Sequence, residues 1–315
     1  MPTISLHGIH YHYEWLGSAD SSGAGSLPPI VALHGFTGRG ADFRSLAAAM
    51  PQFRWLVFDL LGHGSSTVDA EPVRYSLPSM ASDLSEATAA LIQGSFILYG
   101  YSMGGRVALT WVVQHPQAPI SALILESSTA GIADSAQRAA RRRKDEGLAG
   151  EVEAESIEEF VNYWENIPLF ASQHQLPSSV QQQIRRSRLT QTPHGLASSL
   201  RYSGTGIQAS LWDDLPGLSV PLLYLNGAED KKYHEIGRRL CAAVAGATFV
   251  SVPGRGHNVH VEDPGAVAQV VSPWIDQHVA QPQDLVMGRG AQIDEGERRA
   301  DSQEVGGGQE VGEEQ

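Results

Sequence analysis

Six short apolar runs set the terms on which this chain can fold: PIVALHG (29–35), WLVFDLLG (55–62), SFILYGYS (95–102), ISALILESS (120–128), PLLYLNGAED (221–230) and ATFVSVPG (247–254). Most are continuous rather than alternating, and a strand with no polar face must be covered on both sides, as in a mostly parallel sheet held between layers of helices. The intervening segments supply those layers, since LPSMASDLSEATAALI (77–92) and MGGRVALTWVVQH (103–115) repeat their apolar residues at helical spacing. Right-handed crossovers then assemble one open α/β sheet flanked by helices. The N-terminal ISLHGIHYHYEWLG (4–17) alternates instead and is predicted as an antiparallel edge hairpin.

This rhythm lapses between about residues 130 and 214, where AQRAARRRKDE, SIEEFVNYWENI, SVQQQIRRSRL and GLASSLRYSG are charged, helix-prone and free of strand-like runs. An inserted helical cap is the simplest organisation. The predicted division is therefore a core in two parts, 1–130 and 215–280, a cap over 131–214, and a tail over 281–315. That tail holds nine acidic side chains against three arginines, about half of the net charge of -13. It is too polar and glycine-rich to offset its ordering entropy by burial, and is predicted to be disordered.

With 42% hydrophobic and 18% charged residues the chain reads as a soluble globular protein. No apolar run reaches the roughly 18 residues of a membrane span, and the start lacks the basic and apolar regions of a secretory leader. The lone Cys241 cannot form an internal disulfide, which suits a reducing compartment, so a cytoplasmic location is expected. An acidic chain without a long Lys/Arg stripe argues against nucleic acid as a partner. Oligomeric state stays open, with a monomer plausible. The basic exception is local: SAQRAARRRKDE, with Arg138, Arg141, Arg142, Arg143 and Lys144.

Gly100-Tyr101-Ser102-Met103-Gly104 ends a strand-like run and opens a helical one, the setting of a nucleophile elbow that holds a serine hydroxyl above the sheet edge. A serine needs a histidine within hydrogen-bond reach and an acid to orient it. In the chain order serine, acid, histidine, His257 in GRGHNVHVEDP is the candidate base, with His260 as the fallback. Asp230, ending PLLYLNGAED, is the candidate acid, with Glu126 as the alternative. The backbone N–H groups of Phe36, in LHGF, and Met103 suit an oxyanion hole. His34 reads as a histidine bonding its own loop, and Asp59 and His63 in FDLLGHG as architectural. No spacing of His and Cys suggests a metal, and GFTGRGADF lacks the surroundings of a dinucleotide site, so no cofactor is expected.

Arg106 lies one turn into the helix behind Ser102, and further arginines crowd the cap. Guanidinium forks bind carboxylates bidentately, and an acidic chain that concentrates arginine in its cap and beside its elbow has a use for that charge. Arg142, Arg143 and Lys144 read as a solvated helix face.

The order LHGF, DLLGHG, GYSMGG, GAED, GHN resembles the α/β-hydrolase fold over about residues 5–278. Within it, GYSMGGRVAL, AQRAARRRKDE, YWENIPLFAS, GLASSLRYSGTGIQASLW and GRGHNVHVEDP resemble the MenH family, the 2-succinyl-6-hydroxy-2,4-cyclohexadiene-1-carboxylate synthases of menaquinone biosynthesis. The resemblance implies a carbon–oxygen lyase that eliminates pyruvate from a small polycarboxylate substrate without acylating its serine. It matches Ser102, Asp230 and His257 to a triad, Phe36 and Met103 to the oxyanion donors, and Tyr101, Arg106, Arg141 and Trp164 to substrate contacts. Arg188 matches a further contact, with Arg186 almost as well placed in RRSRLTQTPHG. The competing reading is a serine hydrolase, an esterase or carbon–carbon bond hydrolase, using Ser102 covalently.

Overall fold

Residues 2–17 and 27–279 are described by a computed structural model of the chain. The strands are β1 (Thr3–Leu6), β2 (Ile9–Leu16), β3 (Ile30–Leu33), β4 (Trp55–Phe58), β5 (Phe96–Tyr101), β6 (Ile120–Glu126), β7 (Leu222–Gly227) and β8 (Thr248–Val252). They form one sheet in the order β1-β2-β4-β3-β5-β6-β7-β8. The first two pairings, β1 with β2 and β2 with β4, are antiparallel and the rest parallel. β3, β4 and β5 are buried at every position. β8 departs from the expectation of a strand covered on both faces, being mostly half-buried because it is the sheet's last strand.

The helices of the core divide between the two faces. α2 (Leu77–Leu91), α3 (Met103–Gln114) and α8 (Lys231–Ala243) cover one face, packing Leu84, Val107 and Leu240 into a cluster with Val31, Leu56 and Leu98. α1 (Arg44–Ala49), α9 (Val259–Glu262) and α10 (Pro264–His278) cover the other, with Leu46, Val259 and Ile275 against Ala32, Val57 and Tyr99. Alternate strand residues feed the two clusters, so each central strand must be apolar throughout.

Between β6 and β7 the described chain is helical: α4 (Ser135–Ala154), α5 (Ile157–Trp164), α6 (Ser178–Arg188) and α7 (Pro193–Ser203). The starts are written locally. Asp134 accepts a hydrogen bond from the Gln137 N–H ahead of α4, Ser156 and Glu159 form a capping box ahead of α5, and Thr192 with Pro193 opens α7. Helices α4, α5 and α7 share a small core of their own, Ala149, Val152, Phe160, Leu196, Ala197 and Leu200, onto which Phe36 of the main body packs. Among the described residues no helix is long and apolar enough to cross a membrane. The acidic segment 281–315 lies outside the described residues.

Candidate active site

The turn from β5 into α3 is made possible by glycine. Ser102 sits at φ 50, ψ −107, a left-handed conformation that side chains rarely adopt, and it ends the strand abruptly. A Cβ on Gly100 would lie 2.5 Å from the Gly105 Cα, and one on Gly104 would lie 2.1 Å from the Leu33 carbonyl oxygen. Helix α3 can therefore begin directly against the end of β3. The Ser102 N–H is tied to the Glu126 carbonyl at 2.8 Å.

His257 and Asp230 meet this serine from the far side of the helical insertion. His257 Nε2 is 3.0 Å from Ser102 Oγ, and its Nδ1 is 2.6 Å from Asp230 Oδ2. Asp230 caps α8, its Oδ1 accepting from the Tyr233 N–H at 3.2 Å, so one carboxylate fixes both a helix start and an imidazole. Tyr233 and Tyr101 flank the imidazole, with ring centroids 4.6 and 5.5 Å away. With Asp230 on Nδ1, that nitrogen carries the proton and Nε2 is left to accept one from Ser102.

The two alternatives left open by the sequence pair with each other instead. Glu126, fully buried, accepts from His260 Nδ1 at 2.8 Å, from the His260 N–H at 3.1 Å and from the Tyr99 hydroxyl at 2.5 Å. They brace the loop that carries His257, and neither side chain reaches the Ser102 hydroxyl, which is bonded to His257 instead.

The LHGF segment runs directly past the elbow. A Cβ on Gly35 would lie 2.6 Å from the Tyr101 ring and 3.3 Å from Ser102 Cβ, so only glycine permits the approach. Among the described residues the N–H groups of Phe36 and Met103 have no protein acceptor. His34 fixes the loop: its Nε2 accepts from the Leu60 N–H at 2.9 Å, which leaves Nδ1 to donate to the Gly35 carbonyl at 2.7 Å. Asp59 secures the adjacent turn by accepting from the N–H groups of Gly40 and Ser65 and from His12.

His63 lies behind this loop, edge-on to Phe36 and 5.2 Å from the His34 ring. Burial, then the neighbouring His34, push its pKa down to about 3, and its Nε2 has no partner among the described residues. His34 is lowered by burial as well. The unfolded chain takes up the His63 proton below about pH 6.5 and the folded protein only near pH 3, so stability present above 6.5 is lost as pH falls through that window. By pH 4.5 this loss is about 3 kcal/mol. Urea denaturation at pH 7 and 4.5 should show His63→Asn, whose side chain does not titrate, losing less stability than the wild type by about that amount. Parallel losses would contradict it.

Arg106 is 8% exposed and has no carboxylate within ion-pair distance among the described residues. Its Nη1 donates to the Ser203 carbonyl at 2.5 Å. Burial lowers its pKa to about 10, so it is charged at neutral pH. Arg188 is equally hidden, 5% exposed, with its guanidinium 4.5 Å from the Phe170 ring centroid and Nη2 donating to Gln173 Oε1 at 2.9 Å. It lines a cleft with Tyr101, Phe36, Phe170 and His260, whereas Arg186 is exposed on the other side of α6. Burial raises the Tyr101 hydroxyl well above its ordinary pKa, which keeps it a donor.

Arg141 is more open and is held by Asp145 through Nε at 2.6 Å, leaving its outer nitrogens free of that bond. Arg142, Arg143 and Lys144 are exposed. Trp164 packs on Phe36, Phe160 and Phe170. The sequence reading missed Gln173, which holds Arg188, and Glu262, which holds the His257 loop.

The family model described as the alpha/beta hydrolase fold matches residues 28–264. A Bacillus subtilis (strain 168) protein provisionally named 2-succinyl-6-hydroxy-2,4-cyclohexadiene-1-carboxylate synthase is 38% identical over 253 residues, 80% of this chain and 92% of the relative. A Photorhabdus laumondii protein of the same name is 31% identical over 255 residues, 81% of this chain and 87% of its own length. Among solved structures, MenH from S. aureus superposes with a TM-score of 0.79 at 32% identity, covering 85% of this chain and 98% of the other.

Proposed function

Because the chain belongs to the MenH family of α/β-hydrolase-fold enzymes, the 2-succinyl-6-hydroxy-2,4-cyclohexadiene-1-carboxylate synthases, we propose that its triad relays a proton in an elimination and does not acylate Ser102. The reaction releases pyruvate from 2-succinyl-5-enolpyruvyl-6-hydroxy-3-cyclohexene-1-carboxylate in menaquinone biosynthesis. The observation that carries this reading is Arg106: a buried guanidinium one turn from Ser102, without a carboxylate of its own. An ester hydrolase has no general need of that charge. A polycarboxylate substrate does.

In this mechanism Ser102 Oγ removes the ring proton α to the succinyl ketone as its own proton passes to His257 Nε2. Asp230 holds the resulting imidazolium. Negative charge moves to the ketone oxygen, which takes up the N–H groups of Phe36 and Met103. As the pair returns, a new ring double bond forms beside the ketone, the existing one migrates by one position, and the bond to the enolpyruvyl oxygen breaks. The proton on His257 goes to the departing enolpyruvate, which becomes pyruvate. No water is consumed.

Arg106 and Arg188 hold carboxylates, Arg141 adds charge at the mouth, Tyr101 donates a hydrogen bond, and Trp164 forms a wall. The insertion over 131–214 serves as the cap that brings Arg141, Trp164 and Arg188 to the core. A substrate with several negative charges does not cross membranes unaided, which favours work in the cytoplasm.

Coupling pyruvate release to lactate dehydrogenase tests the assignment. Arg106→Ala loses a charge-assisted contact of about 2–3 kcal/mol, so kcat/KM should fall roughly 30- to 150-fold. Unchanged kcat/KM would remove the principal support. Brisk turnover of p-nitrophenyl esters by the wild type without pyruvate release would overturn the lyase reading in favour of a hydrolase.

A further inference from the structure

We propose that Glu262, which contacts neither Ser102 nor Asp230, is a positioning residue that sets the His257 loop and ties it to the helical insertion. The inference rests on the assignment of His257 as the base. Glu262 lies at the end of α9 and is 7% exposed. Its Oε2 accepts from the Gly256 N–H at 2.7 Å, and its Oε1 from the Asn258 N–H at 3.4 Å, so one carboxylate holds the peptide groups on both sides of His257. Oε1 also accepts from the Ser172 hydroxyl at 3.0 Å. Ser172 belongs to the segment between α5 and α6, next to Phe170, whose ring faces His257 at 6.1 Å.

The contact leaves no slack. A Cβ on Gly256 would lie 2.0 Å from Ser172 Oγ, so the insertion presses on the backbone of the loop itself. On its other side, a Cβ on Gly227 would lie 2.1 Å from the Arg255 carbonyl oxygen, which closes the loop against the end of β7. Glu262 thus sits where cap and catalytic histidine meet. The buried Gly256 N–H and the part-buried Asn258 N–H, which would otherwise lack protein acceptors, fix its orientation. A shift of the loop by an ångström would carry His257 Nε2 out of reach of Ser102 Oγ, now 3.0 Å away.

Four variants and three readouts test this. Fluorophosphonate labelling reports how well His257 activates Ser102 without any need for the natural substrate, and pyruvate release reports turnover. Glu262→Ala should slow both by about 10- to 100-fold, with KM within about twofold. Glu262→Gln keeps one oxygen at full reach for the Gly256 N–H and can donate its NH2 to Ser172 Oγ, giving up only the long Asn258 contact, and should recover most of the loss. Glu262→Asp keeps the charge but not the reach and should behave like Glu262→Ala, so the Gln and Asp pair carries the test if the alanine variant does not fold. Ser172→Ala, which leaves both loop amides held, should fall only about threefold. The downfield proton resonance of His257 Nδ1–H should shift in Glu262→Ala and return in Glu262→Gln. Wild-type kcat and labelling in a folded Glu262→Ala or Glu262→Asp, or a Gln variant as poor as Ala, would overturn the proposal. A wild type that labels readily but releases no pyruvate would instead refute the lyase assignment and leave the role of Glu262 standing.

Discussion

Ser102→Ala is expected to lower pyruvate release by about 10²- to 10⁴-fold, the range for loss of a positioned acid–base group, with KM changed only a few fold. The hydroxyl is the atom between His257 Nε2 and the substrate, at 3.0 Å from the imidazole, and no other described side chain hydrogen-bonds to that nitrogen. Alanine inherits the unusual backbone at φ 50 without adding volume, and the triad's Asp230–His257 bond does not depend on the hydroxyl. The arginines proposed to hold substrate also remain. The measurement is the lactate dehydrogenase-coupled rate alongside calorimetric binding of substrate to the variant. Turnover above a tenth of wild type would remove Ser102 from the relay. Intact mass of the wild type quenched during turnover separates the two possible roles: the chain should stay unmodified, and an acyl adduct on Ser102 would make it a nucleophile.

Gly104→Ala should damage fold and chemistry together. Its Cβ would fall 2.1 Å from the Leu33 oxygen, 2.4 Å from the Leu33 carbonyl carbon and 2.6 Å from the His34 oxygen, all backbone atoms of a central strand and the loop that follows it. None can swing aside as a side chain would. Relief requires α3 to withdraw from β3, at a cost of about 3 kcal/mol. In a chain of this size that corresponds to a melting temperature lower by about 6–12 °C. The same displacement separates the Met103 N–H from the Phe36 N–H, so kcat should drop about 100-fold even well below the melting temperature. Calorimetry and the pyruvate assay on one preparation check both. A stable variant with low kcat would confine the clash to the hole. A stable and active one would mean that the elbow can yield.

The local parts of this site were legible in the sequence and the long-range parts were not. Gly-Tyr-Ser-Met-Gly between an apolar run and a helical one announces a turn in five consecutive residues, although the backbone that Gly104 makes room for, at Leu33 and His34, lies far off in the chain. Asp230 and His257 followed from chain order at strand ends. The choice between Arg186 and Arg188 was readable in principle: Ile184 lies four residues before Arg188, on the buried face of α6, and Arg186 is half a turn away from that face. Glu126 and His260 could be ranked but not excluded from sequence, because what removes them is their bond to each other across 134 residues. Glu262 and Ser172, 90 residues apart, had no pattern to betray them. Asp59 read correctly as architecture, although the three groups it gathers come from separate stretches of chain.

The bond from Arg106 to the Ser203 carbonyl has a thermodynamic meaning. Ser203 is the last residue of α7, and the final carbonyls of a helix lack intrahelical partners and carry together about half an elementary negative charge. A carboxylate in that place would neutralise the guanidinium and compete with any incoming anion. A helix end offsets only part of the cost of burying it. The fold therefore holds this guanidinium only partly compensated, and under the proposed function part of the affinity for a carboxylate is stored in the folded protein beforehand.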